Sequence, residues 1–270
     1  MAHQSKESTH PTKRSLSFWR PEWLVFALGA LLVIGFWFVG QGRGFVPVLA
    51  LQSLSFNLWS APQNLLTFWL VHASVGNLLA NVALIVLSGF VVVRKVGPAH
   101  LLGLFVVCIG LSFSLFNLLE PTVFGIGASG AAVGLTAAAL ILNPKTGLKL
   151  VAVALVVVVL GMVGFAQLDA AYNREMASRQ SALSFEVQSA YRSGDQNRLQ
   201  SAQSALQSVS QTITAKSESD VFARSLPVAN LVHIIAAILA VLYLALACPV
   251  PLRASLQSSK KLFAFRSGRN

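Results

Sequence analysis

The chain has 270 residues, of which 55% are hydrophobic and only 11% charged, and it carries a net charge of +11. A soluble domain carries about 25% charged residues, so an ordinary soluble globular domain is excluded. The positive charges sit in short clusters beside apolar blocks and do not interleave with aromatics, which argues against a nucleic-acid groove and for membrane topology signals.

Six apolar blocks follow in chain order: 22–40, 68–93, 101–119, 126–143, 149–167 and 227–248. A bilayer-spanning helix needs about 20 apolar residues, so each block is predicted to be a span. The predicted organisation is a basic tail over 1–21, spans one to five within 22–167, an insertion at 168–226, the sixth span at 227–248 and a second basic tail over 249–270. An even number of spans puts both tails on one side. Lys6, Lys13, Arg14 and Arg20 precede the first span, Arg94 and Lys95 follow the second, Lys145 and Lys149 follow the fourth, and Arg253, Lys260, Lys261, Arg266 and Arg269 follow the sixth. All of these fall on one face, which the positive-inside rule makes the cytoplasm. A multi-pass protein of a bacterial inner membrane, with both termini cytoplasmic, is the expectation.

The first outer connection, 41–66, is apolar yet broken by Pro47 and Pro62. It is predicted to lie half embedded in the outer interface. The last, 168–226, is rich in Gln and Ser and holds six acidic and six basic residues. Within it Leu199, Ala202, Leu206, Val209 and Ile213 recur at helical spacing, and Ser193-Gly194-Asp195 marks a turn. A helical hairpin projecting outward is predicted there, with Tyr172, Met176, Leu183 and Val187 as the facing stripe; a flexible Gln/Ser-rich loop is the other reading. A second copy of the hairpin, giving a homodimer, is the alternative partner. Cys108 and Cys248 fall in or beside apolar blocks and are taken as unpaired packing residues.

Polar residues inside spans are costly and usually functional. The second block holds His72, Asn77 and Asn81, the fourth opens with Gly127-Ala128-Ser129-Gly130, and the sixth holds Asn230 and His233. In this topology His72, Ser129 and His233 each fall early in their span and share a level in the outer half of the bilayer, with Asn81 at matching depth. A serine hydroxyl becomes a nucleophile when a base takes its proton, which assigns Ser129 as nucleophile and His233 as base. No carboxylate lies near, so the pair is a dyad. Ser129 opens its helix, where free backbone N–H groups gather, and Asn81, Asn77 and Gly127 complete the expected oxyanion set. His72 is assigned a structural role. Gly127, Gly130 and Gly134, facing Ala236 and Ala240, would let the two helices approach closely. No metal or other cofactor is called for.

These residues resemble the rhomboid intramembrane serine proteases. In that family a Gly-x-Ser-Gly motif opens the fourth span, as Gly127-Ala128-Ser129-Gly130 does here. A His on the sixth span precedes a small-x-x-x-small pattern, as His233 precedes Ala236 and Ala240. The family's His-x4-His-x3-Asn pattern on the second span appears as His72, Asn77 and Asn81. The resemblance implies an all-α membrane protein, a rhomboid-like bundle of six transmembrane helices, here with an extra helical hairpin between spans five and six. It also implies a serine endopeptidase that cuts single-span membrane proteins near the outer face of the lipid bilayer. The chain departs from the pattern at Asn77, at Gln63-Asn64 in place of a Trp-Arg pair, and at Val133 in place of an aromatic. These departures suggest the other reading, a catalytically inactive rhomboid-like protein that binds client transmembrane helices.

Overall fold

The computed structural model describes residues 21–40, 46–225, 230–255 and 257. The tail cations up to Arg20, Arg43, Pro227 and the cations from Lys260 onward lie outside them. Among the described residues all regular structure is helical: α1 (Trp23–Val39), α2 (Val48–Leu54), α3 (Val75–Val96), α4 (Pro98–Val106), α5 (Ser112–Leu119), α6 (Ser129–Leu142), α7 (Pro144–Ser193), α8 (Gln196–Ser225) and α9 (Asn230–Ala247). A single π-helical turn, Val107–Leu111, joins α4 to α5.

The apolar blocks set these helices, and Gly, Pro and capping residues set their ends. Gly97, at φ 92°, stops α3, and Pro98 opens α4 in the first-turn position where its missing N–H costs nothing. Asn143 caps α7 by accepting from the Thr146 N–H, and no strong breaker follows until Gly194 adopts the left-handed conformation. The helix therefore runs for 50 residues, well past the block at 149–167 that predicted it. The second and fourth blocks are shorter as helices than predicted. Residues 68–70 form a 3-10 turn, and Ser74, in extended backbone, caps α3 by accepting from the Asn77 N–H at 3.2 Å. His72 thus stands in the connection before α3, not in a span. Gly127, at φ 90°, holds α6 back to Ser129.

α3, the α4–α5 stretch and α7 are long and apolar enough to cross a membrane. α9 reaches that length only with the short helix Pro249–Ser255, from which it bends by 109°, and α1 and α6 are shorter apolar helices. Large side chains such as Ile34, Phe38, Leu160 and Val163 stand uncovered around the bundle. In water such a surface would aggregate, whereas acyl chains cover it without penalty.

α3 and α6 form the centre, with α1 and α7 against α3 and α9 against α6. Small residues set the approach. A Cβ added at Gly29 of α1 would lie 2.8 Å from Val86, and one at Gly161 of α7 would lie 2.9 Å from Leu79. Between α3 and α6 the Ser88 and Thr136 hydroxyls meet at 3.1 Å. At the end of the bundle away from Ser129, Arg94 pairs with Glu22 at 3.1 Å and lies over the Phe90 ring. There too His100, passed over in the sequence, opens α4 with Nδ1 3.3 Å from the Tyr243 hydroxyl.

α7 and α8 turn at Gly194 and run antiparallel. Asp169 pairs with Lys216, the Gln180 amide donates to Ser210, and Glu186 pairs with Arg198. The alanines Ala190 and Ala202 are the points where the two helices close completely, and Tyr172, Met176, Leu183, Val187, Leu206 and Ile213 are half covered in the seam.

Candidate active site

The segment before Ser129 is a strap held at both ends. Phe56 and Gly125 exchange two backbone hydrogen bonds of 2.8 Å, and the Gly127 N–H donates to the Phe68 carbonyl at 2.9 Å. Gly127 then turns the chain into α6 through a positive φ that a residue with a Cβ rarely adopts. Ser129 is the first residue of α6, half covered, beside N–H groups with no partner one turn back. A Cβ at Gly127 would stand 3.5 Å from Asn77 Oδ1, 3.7 Å from the Val71 carbonyl and 3.8 Å from Asn81 Nδ2. The strap therefore brings Gly127 and both asparagines together, two residues from Ser129.

The asparagines are not equivalent. Asn81 is buried and donates from Nδ2 to Asn77 Oδ1 at 3.0 Å. Asn77, at the exposed edge of α3, uses its oxygen in that bond and keeps its amide hydrogens free. One residue thus orients the other. His72 is fully buried, its Nδ1 3.3 Å from the Leu70 carbonyl and its Nε2 without a partner.

His233 lies on α9, half covered. Three residues on, on the same face, Ala236 is fully buried with its carbonyl 3.3 Å from where a Cβ on Gly134 would stand. Ser129 lies about 7.5 Å along α6 from Gly134 and His233 about 4.5 Å along α9 from Ala236, at about 1.5 Å per residue. The two helices thus carry Ser129 and His233 at neighbouring levels. No hydrogen bond joins them, and neither makes another among the described residues. Among the described residues no three His, Cys, Asp or Glu side chains come together as a metal set.

Three asparagines fix the site's surroundings in a role the sequence did not reveal. Asn57 donates from Nδ2 to the Pro121 and Val123 carbonyls and accepts from the Trp59 and Ser60 N–H groups. Asn117 accepts from the Leu58 N–H and donates to the Val123 carbonyl. Asn64 donates to the carbonyls of Ser53 and Ser55, both at 2.8 Å. The position that departs from the Trp-Arg pair therefore still fastens the loop, with a different donor. An asparagine inside an apolar connection was the available signal, since a buried amide must find partners.

An all-helical bundle with an apolar exterior and a small polar site at one end defines an integral membrane protein. Residues 56–179 match the Rhomboid domain, which supports the resemblance to the rhomboid family. The matched segment holds the strap, Ser129, Asn77 and Asn81, and ends within α7, before His233. No curated protein and no solved structure matches the chain.

Proposed function

We propose that the protein is an intramembrane serine endopeptidase that cuts single-span membrane proteins near the outer face of the bilayer. The observation that supports this reading is the glycine strap, which turns the chain at Gly127, near Asn77 and Asn81, two residues before Ser129 opens α6. α1, α3, α4–α5, α6, the first half of α7 and α9 are the six spans, with both termini in the cytoplasm of a bacterial cell. The α7–α8 hairpin lies outside, between spans five and six.

His233 takes the proton of Ser129 as Oγ attacks the scissile carbonyl. The tetrahedral oxyanion forms at the start of α6, where backbone N–H groups and the amides of Asn77 and Asn81 donate to it. Collapse expels the amine, which takes the proton from His233, and leaves an acyl-enzyme. A water, deprotonated by His233, then releases the second product. Because Ser129 and His233 are not hydrogen-bonded at rest, their bond tightens when substrate enters, as often happens in unliganded enzymes.

The test is cleavage of a single-span reporter in proteoliposomes. The wild-type protein releases the reporter's outer fragment and Ser129→Ala does not. Equal cleavage by both would end the assignment. Reporter binding without cleavage by either would favour the client-binding alternative, to which Val133 and the open Ser129–His233 pair lend support.

A further inference from the structure

Cys108 takes no part in the chemistry above, yet it stands where the helices carrying it meet. It lies in the π-helical turn and is fully buried. Its Sγ donates to the Ala236 carbonyl of α9 at 3.5 Å. On the other side it fills the notch left by Gly134 of α6, where an added Cβ would overlap Sγ and lie 2.7 Å from the Cys108 Cβ. Its own carbonyl accepts from the Ser112 hydroxyl and faces Gly130, where a Cβ would come within 2.7 Å. The extra residue of a π turn is what swings this position out of the α4–α5 helix, and such turns recur at functional sites. One side chain thus spaces α6 from α9, one to two turns below Ser129 and His233.

We propose that Cys108 is a positioning residue that sets the reach between Ser129 and His233, an inference that rests on the dyad reading. The wedge is held by shape on the α6 side and by a hydrogen bond on the α9 side. Removing the bond frees α9 to rotate or slide by fractions of an ångström, and enlarging the wedge pushes the helices apart. Both changes act at the dyad, where a misplacement of about 1 Å can cost about 10²-fold. Neither changes the groups that bind substrate or hold the oxyanion.

The experiment measures the rate of fluorophosphonate labelling per folded molecule in detergent, together with kcat and KM on a single-span reporter. Cys108→Ser keeps a donor of similar size and is expected to label within about twofold of wild type, whereas Cys108→Ala falls about tenfold and Cys108→Leu about 10²-fold. The loss is expected in kcat, with KM unchanged. Gly134→Ala presses on the same wedge and is expected to fall at least about tenfold, and the double variant with Cys108→Ala to recover most of that loss because the volumes compensate. The double variant keeps the test decisive if Cys108→Ala alone folds poorly. Labelling of wild type with every variant at the same rate per folded molecule overturns the role of Cys108 and leaves the dyad standing. So does a double variant whose losses simply multiply. A wild-type protein that is not labelled at all overturns the dyad and this proposal together.

Discussion

The helical bundle and the α7–α8 hairpin use small residues in opposite ways. In the bundle, Gly29, Gly130, Gly134 and Gly161 let backbones come so close that a single added methyl would collide with a neighbour. Several buried amides there are engaged: Asn57, Asn64 and Asn117 bond to backbone carbonyls of the outer loops and Asn81 to Asn77, while His72 Nε2 has no partner among the described residues. In the hairpin, among the described residues, the seam closes completely only at Ala190 and Ala202, while Phe185 and Tyr191 stand exposed. Two of its pairings, Arg179 with Glu175 and Arg198 with Glu186, are between exposed side chains, while that of Asp169 with Lys216 is partly covered. Close packing with satisfied polar groups holds side chains to fractions of an ångström, as chemistry needs, and a thin seam does not. The candidate site belongs to the bundle.

The largest effects should fall on the two residues of the dyad. Ser129→Ala and His233→Ala are each expected to lower reporter cleavage by about 10³-fold or more while the protein keeps its melting temperature, because neither member acts alone. Cleavage within tenfold of wild type by either variant would remove that residue from the site. Asn81→Ala should follow at about 10²-fold in kcat, since it deletes a donor and also releases Asn77. Asn77→Ala should cost less, and an unchanged kcat for Asn81→Ala would leave Asn81 a packing residue.

A third change tests whether the bundle's outer loop is structural support for the site. Asn57→Ala strands the Pro121 carbonyl and the Trp59 and Ser60 N–H groups and leaves the Val123 carbonyl to Asn117 alone, a cost of about 1–3 kcal/mol. Its melting temperature should drop, and labelling at Ser129 should slow as the strap loosens. A melting curve like that of wild type would show the loop to be held by other contacts.

The hairpin should give the smallest effects. Arg179→Ala removes the exposed Glu175 pair and should change stability by less than about 1 kcal/mol, measured by thermal melting in detergent. Replacing 168–226 by a short linker should leave Ser129 labelling intact and change which reporters are cut. A folded deletion variant without labelling would place the hairpin in the active site and break the contrast drawn here.

The parts of the fold legible in the sequence are those written in local pattern. Apolar blocks mark the membrane helices, and the recurrence of Leu206, Val209 and Ile213 marks the face of α8 that meets α7. Gly127, two residues before Ser129, marks the turn that opens α6. Helix limits were less legible, because Ser74 and Gly127 end or delay helices inside blocks whose hydropathy runs on. The role of Asn57 and Asn64 was hidden because their partners lie in carbonyls that only the folded loop brings near. Cys108 was hidden for a similar reason: its meaning depends on Gly134 and Ala236, on two other helices, and on a π turn that no periodicity announces.

The most direct measurement is to treat the purified protein with a fluorophosphonate and locate the adduct by mass spectrometry. The account predicts one adduct, on Ser129, formed with wild type and lost with His233→Ala. An adduct on another serine, or none on a folded protein, would contradict it.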